Sequence, residues 1–308
     1  MIEKIEKDRG NKVKFLGALA IMLAALLWSL DGVFIRPKLY ALPAGLVVFL
    51  EHFLGFLVLS PFIFFGWVRI RALELKDWGA VAWVSVFGGL IGTLFITKAF
   101  FAAVNGEVTF ATVVILQKLQ PVFALILARI VLGEKLKKSF YFWAGLAIAA
   151  AYFLTFGKLI DPREIMLTHQ AALFAVVAAF AFGSSTVYGK RIVNRLDFRS
   201  TAALRFGLTT ILAGAYVFLT GDMLKMDQVD PAQWKLLGII VFTSGAAAMF
   251  IYYYGLKKIS ASAATIFELA WPLSAVILDF ILNRNILNPV QIGASLALLF
   301  CFFKIVKK

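Results

Sequence analysis

The chain of 308 residues is 62% hydrophobic and only 16% charged, with a mean hydropathy of +0.89; soluble domains carry roughly 45–50% apolar residues, so a water-soluble globular fold is excluded. The formal charge of +14 does not mark a nucleic-acid partner, because the basic residues sit in short stretches between apolar runs, where membrane topology selects them. Cys301 is the single cysteine and His52 and His169 are the two histidines, so no intramolecular disulfide, metal cluster or other cofactor is expected.

Residues 1–14, MIEKIEKDRGNKVK, mix both signs and read as a retained cytoplasmic tail rather than a signal peptide. Ten apolar runs follow, at 15–35, 42–66, 78–100, 106–128, 139–157, 169–189, 200–220, 234–255, 260–282 and 289–306. Each is close to the ~20 residues a helix needs to cross the hydrocarbon layer. Barrel strands would be runs of about ten with strict alternation, a pattern the sequence lacks. Arg36-Pro37, Asp161-Pro162, Asp230-Pro231 and Asn288-Pro289 punctuate the breaks. With the N-terminus inside, the inner segments carry 21 Lys and Arg, and the outer ones carry six: Arg36, Lys38, Lys158, Arg163, Lys225 and Arg284. That bias predicts an integral protein of the cell membrane with both termini cytoplasmic.

The fourth run, within 108–134, reads VTFATVVILQKLQPVFALILARIVLGE. The ninth, within 259–285, reads ISASAATIFELAWPLSAVILDFILNRN. A shift of 151 positions lays one on the other without a gap, placing Pro121 on Pro272 and Gln117 on Glu268. Five further residues fall on identical ones: Ile115, Ala124, Ile126, Leu127 and Ile130. A shift of 154 lays ALLWSLDGVFIRP (25–37) of the first run on AFAFGSSTVYGKR (179–191) of the sixth, and puts Glu51 on Arg205. The chain therefore divides into a tail (1–14), a five-span repeat (15–157), a linker (158–168) and a second five-span repeat (169–308). Five is odd, so the second copy lies upside down relative to the first. The predicted fold is all-α and polytopic, with ten transmembrane helices in two inverted five-helix repeats.

Proline at 121 and at 272 cannot donate to the carbonyls of Gln117 and Glu268. In lipid those carbonyls need other partners or a wet cavity, so the two helix breaks are the expected walls of a binding site. Gln117, Lys118, Gln120, Glu268 and Trp271 are the candidate substrate-binding residues; the competing reading is a packing kink with an internal ion pair. A mid-membrane carboxylate such as Glu268 is a candidate proton carrier, or the partner of Lys118, Lys98 or Arg205. Lys118 either meets a substrate carboxylate or pairs with Glu51 or Asp31. Glu51 and His52 are adjacent, so only one is expected to point inward, as a proton relay or paired with a lysine. Asp31 is placed to gate or cap the outer part of its span. Arg205 is expected to be an interfacial anchor or an ion-pair partner. Gly88 and Gly92 form a GxxxG that permits close helix approach, within the bundle or at a homodimer face.

Trp28-Ser29-Leu30-Asp31 with Arg36, its echo Phe182-Gly183-Ser184-Ser185 with Lys190, Gln120-Pro121 with Gly133-Glu134, and residues 259–264 leading to Trp271-Pro272 carry a resemblance. The chain resembles the drug/metabolite transporter superfamily, specifically proteins with two EamA-type repeats. The resemblance covers nearly the whole chain. It implies a central cavity lined by spans of both halves and the passage of small metabolites. Gln120 and Trp271 depart from it by replacing an acidic residue before each proline, and Asn285 stands in the place of a second Glu134. The expected function is secondary transport of small amino-acid-like or related polar and amphipathic solutes, outward by resemblance. A non-transporting receptor or scaffold is the alternative, and a membrane-embedded enzyme is poorly served by two histidines in separate halves. No nucleotide-binding loop is present.

Overall fold

The computed structural model describes residues 2–161, 163, 170–284 and 286–306, all of them helical or connecting. Asn285 and most of the 158–168 linker lie outside the described residues. The first half contains α1 (Ile2–Leu30), α2 (Ala44–Leu59), α3 (Pro61–Arg71), α4 (Leu75–Trp83), α5 (Gly92–Val104), α6 (Phe110–Gln117), α7 (Gln120–Val131) and α8 (Lys138–Phe156). The second contains α9 (Gln170–Arg195), α10 (Phe198–Thr220), α11 (Pro231–Phe242), α12 (Ala246–Lys258), α13 (Ala261–Phe267), α14 (Ala270–Asn283) and α15 (Pro289–Val306). Nine stretches among the described residues are long and apolar enough to cross a membrane, and the bent pair α2–α3 makes ten.

The sequence predicted span two as one run, 42–66; it is instead bent by 80° at Ser60-Pro61. Pro61 has no N–H to donate to the carbonyl of Leu57, and the Ser60 hydroxyl donates to that carbonyl at 3.0 Å. The other interruptions fall inside spans. A π-helical stretch, Val84–Ile91, joins α4 to α5, and another, Asp31–Ile35, ends α1.

Helix pairing repeats across the two halves. Span two packs on span seven (α2 on α10), and span five on span ten (α8 on α15). Span one packs on span eight (α1 on α12), and its counterpart pairing of span six with span three is α9 on α5. A pseudo-two-fold arrangement requires these exchanged pairings, as expected of an inverted repeat. The GxxxG serves one of them. A Cβ built on Gly88 would lie 2.4 Å from the Ser185 Oγ of α9, and one on Gly92 would lie 2.9 Å from the Phe182 ring. Span three thus uses both glycines to close on span six within the same chain.

Candidate functional site: a cavity between two broken helices

α6 stops at Gln117 and α7 starts at Gln120; α13 stops at Phe267 and α14 starts at Ala270. Each pair brackets a short turn just before its proline, Lys118-Leu119 in one half and Glu268-Leu269 in the other. The carbonyl of Glu268 accepts from the N–H of Trp271 at 3.0 Å, a tight turn in place of the helical bond that Pro272 cannot make. Both breaks open onto one cavity of about 260 Å³. Gln117, Lys118, Gln120, Pro121, Glu268, Trp271 and Pro272 line it, as do Asp31, Glu51, His52 and Arg205. All eleven residues singled out from the sequence therefore stand along one wall system.

Two carboxylates organise it. Glu268 accepts from Tyr252 OH at 2.7 Å, from Thr186 Oγ1 at 3.3 Å and from Gln120 Nε2. Its partners are neutral donors, not Lys118, Lys98 or Arg205. The bond from Gln120 joins the break of the first half to the break of the second. Glu51 lies instead against Arg36, 2.7 Å from Nη2. The same guanidinium holds Asp31 through Nε and Nη2 at 3.1 and 2.7 Å, and donates to Thr97 at 3.0 Å. The partner of Glu51 is thus an arginine from its own half rather than a lysine. Arg36, Asp31 and Glu51 are each less than a tenth exposed, so the cluster is a buried arginine held between two carboxylates, with one oxygen of Asp31 left unbonded.

Three other expectations are corrected. Glu51 and His52 both line the cavity and both are buried, although neighbours on a helix point ~100° apart. His52 donates Nδ1–H to the Val48 carbonyl at 2.8 Å and packs its ring 4.9 Å from Phe206. Arg205 is no interfacial anchor: it is 7% exposed, inside the bundle, and donates to Tyr253 OH at 3.3 Å. Lys118 meets neither Glu51 nor Asp31; its Nζ lies 5.3 Å over the Trp271 ring, a cation–π contact between the two breaks. Gln117 donates to the Ala175 carbonyl at 3.2 Å, and Lys98 to Tyr216 OH at 3.3 Å, away from the cavity.

Tyr252 and Thr186, both bound to Glu268, lie 2.8 Å from each other, and the Trp28 ring sits 5.2 Å from that of Tyr252, tilted by 50°. Neither Tyr252 nor Thr186 is among the residues singled out from the sequence; the available signal for Thr186 was the span-six echo, 179–191, that contains it. Among the described residues, five buried side-chain polar atoms have no hydrogen-bond partner: Asp31 Oδ1, Ser185 Oγ, Arg205 Nε, Ser244 Oγ and Thr265 Oγ1. All five side chains line this cavity. Buried polar groups are otherwise almost always paired, and these unpaired ones all belong to residues of the cavity wall. Among the described residues, Lys118, Arg205 and Glu268 have no opposite charge within ion-pair distance.

At the end of the bundle that carries both chain termini, the Glu134 carboxylate accepts from the N–H of Ala261 at 2.8 Å, the N–H of Ser262 at 3.1 Å and the Ser262 hydroxyl. A residue of the first half thus caps the broken helix of the second.

The family model described as the EamA-like transporter family matches residues 15–156 and again 169–306. The riboflavin transporter ImpX of Fusobacterium nucleatum is 38% identical over 304 residues, spanning 96% of this chain and 99% of its own. The uncharacterized transporter YwfM of Bacillus subtilis is 26% identical, covering 92% and 91% of the two chains, and protein LicB of Haemophilus influenzae is 25% identical, covering 92% and 94%. A solved structure superposes with a TM-score of 0.67 at 16% identity, covering 94% of each chain, which supports the fold.

Proposed function

Since this chain belongs to the EamA-like transporter family and is an integral membrane transporter, we propose that it carries riboflavin or a closely similar flavin across the cell membrane. The observation that carries this reading is the cavity itself. Aromatic residues (Trp28, Phe100, Phe182, Trp271) line it together with polar ones (Gln117, Gln120, Thr186, Glu268), a mixed wall that suits a flat heterocycle with a polyhydroxyl tail. The 38% identity to a named riboflavin transporter over nearly the full length points the same way. In this reading Gln117, Lys118, Gln120, Glu268 and Trp271 contact the solute, and the two halves rock about the bridge between Gln120 and Glu268. Glu268, held by neutral donors alone, is the group assigned to couple a proton to movement. Both termini face the cytoplasm, which reporter fusions at residues 1 and 308 test.

The decisive experiment is riboflavin uptake into liposomes containing the purified chain, with and without an imposed pH gradient. Uptake above protein-free liposomes, lost in Glu268→Gln, is the expected result. The opposed charges of Lys118 and Glu268 also suit a zwitterionic amino acid, so the assay includes an amino-acid mixture as competitor. Amino-acid flux without riboflavin flux would replace the flavin reading by that one, and no flux of either would remove both.

A further inference from the structure

Span eight is broken with no proline at the break. α11 ends at Phe242 and α12 begins at Ala246, and the turn between them, 243–245, reaches the cavity through Ser244 and Gly245. Non-helical backbone at membrane depth needs partners for the groups it frees. Within the span, the Gly245 N–H donates to the Ile240 carbonyl at 2.7 Å and the Ala248 N–H to the Thr243 carbonyl at 2.9 Å. The Ser244 carbonyl is met from the other half of the chain: Trp28 of span one donates its indole N–H to it at 2.9 Å. The Trp28 ring lies 5.2 Å from that of Tyr252, about two turns further along α12, and Tyr252 OH donates to Glu268 at 2.7 Å. One side chain of the first half thus pins the break of span eight and abuts the tyrosine that holds the carboxylate of span nine.

The inverted copy shows what the indole adds. The 154-residue shift lays Trp28 on Phe182, and span six packs on span three as span one packs on span eight. Span three is interrupted too, but by the π-helical stretch Val84–Ile91 rather than by a break. There the Phe182 ring packs on Gly92, 2.9 Å from a Cβ built on it, and has no N–H to give. A phenyl ring serves where the backbone stays helical, and an indole N–H stands where it does not. We infer that Trp28 is a positioning residue for Glu268: its N–H fixes the break of span eight, and α12, so fixed, holds Tyr252 at the carboxylate. The inference rests on Glu268 as the working carboxylate of the proposed cycle, whichever solute is carried. Thr186 and Gln120 hold the same carboxylate, so loss of the pin loosens one of three bonds and leaves the group in place.

The test reads the carboxylate itself. Infrared spectra of the full chain in lipid nanodiscs, each taken as a difference with and without Glu268→Gln, isolate the stretching band of Glu268, whose position reports the hydrogen bonds made to it. Tyr252→Phe removes one of those bonds and is expected to shift the band. Trp28→Phe keeps a ring and removes the N–H; it is expected to shift the band in the same direction. The double variant is expected to shift it no further than Tyr252→Phe alone, because the two residues act in series. Riboflavin uptake by liposomes carrying Trp28→Phe is expected to fall about fivefold, the scale of one neutral hydrogen bond. Gly245→Ala disturbs the same break from within, since its Cβ would lie 3.0 Å from the Ile240 carbonyl oxygen. It is expected to shift the band as well, and it takes the place of Trp28→Phe should that variant fail to fold. A Glu268 band unmoved by Trp28→Phe, or by Gly245→Ala in its place, overturns the inference, as does a double variant whose shifts add. Unchanged uptake in Trp28→Phe alongside lost uptake in Glu268→Gln overturns it too. A wild type that takes up no riboflavin overturns the flavin reading alone, and the bands then decide the inference.

Discussion

Glu51 and Glu268 are both buried carboxylates on the same cavity, yet the chain treats them in opposite ways. Glu51 is held by a guanidinium that also clamps Asp31 and Thr97, and all four residues come from the first half. Glu268 is held by an amide and two hydroxyls, with Gln120 reaching to it from the other half. A charge-paired carboxylate fixes structure, because losing either partner strands a buried charge. A carboxylate held by neutral donors, at the junction of two halves, keeps its charge available for exchange with solute or solvent. The first is a rivet; in the proposed transport reading the second is the working part.

Breaking the rivet has the largest expected effect. Arg36→Met leaves Asp31 and Glu51 buried without their counter-charge, at a cost of about 3–5 kcal/mol. Thermal unfolding in detergent should register a strongly lowered midpoint, and an unchanged midpoint would erase the contrast. Glu268→Gln keeps shape and most hydrogen bonding, so its unfolding midpoint should move little while riboflavin uptake falls roughly tenfold or more. The reverse outcome, a large loss of stability with uptake intact, would make Glu268 a second rivet. Tyr252→Phe removes the 2.7 Å bond to Glu268 and the 2.8 Å contact with Thr186. It should cost about 1 kcal/mol, visible as a several-fold weaker solute affinity in titrations of the purified protein.

A third carboxylate, outside the spans, supplies the reference and the smallest effect. Asp197 caps α10, accepting from the N–H groups of Arg199 and Ser200 at 3.0 Å each. Burial pushes its pKa up, but the Ser200 N–H and hydroxyl, the Arg199 N–H and nearby Arg69 outweigh burial and hold it below its ordinary value. A lowered folded-state pKa means stability that is present above the unfolded-state value and is lost as pH falls through the folded one. Asp197→Ala should therefore cost about 1 kcal/mol at neutral pH and progressively less in acid. A melting difference that stays constant from neutral pH into that acid range would contradict the capping role.

The breaks were readable from sequence because they obey a one-dimensional rule. A proline in a helix has a known consequence four residues back, and the 151-residue shift showed the same event twice. The same self-comparison drew attention to the polar residues beside them, including Glu268. Partnerships were not readable. Helical periodicity tells which face a residue occupies but not which neighbour meets it, so the choice of Arg36 over a lysine for Glu51, and of Tyr252 for Glu268, depended on helix crossings the sequence does not encode locally. The expectation that only one of Glu51 and His52 faces inward failed for a related reason: adjacency along a helix does not say how many of its neighbours a cavity touches. The bend at Ser60-Pro61 was signalled by the proline, but the apolar run across it masked the signal.

The cap that Glu134 provides to α13 reaches beyond local helix stability. Two bare backbone amides of one half depend on a side chain rooted in the other. In the proposed rocking cycle, parting the halves at this end would expose those amides and the carboxylate together, so the resting bias between the two faces of the membrane would be weighted by a contact outside the cavity. On that proposal turnover would be adjusted at the foot of α7 and solute choice in the cavity wall.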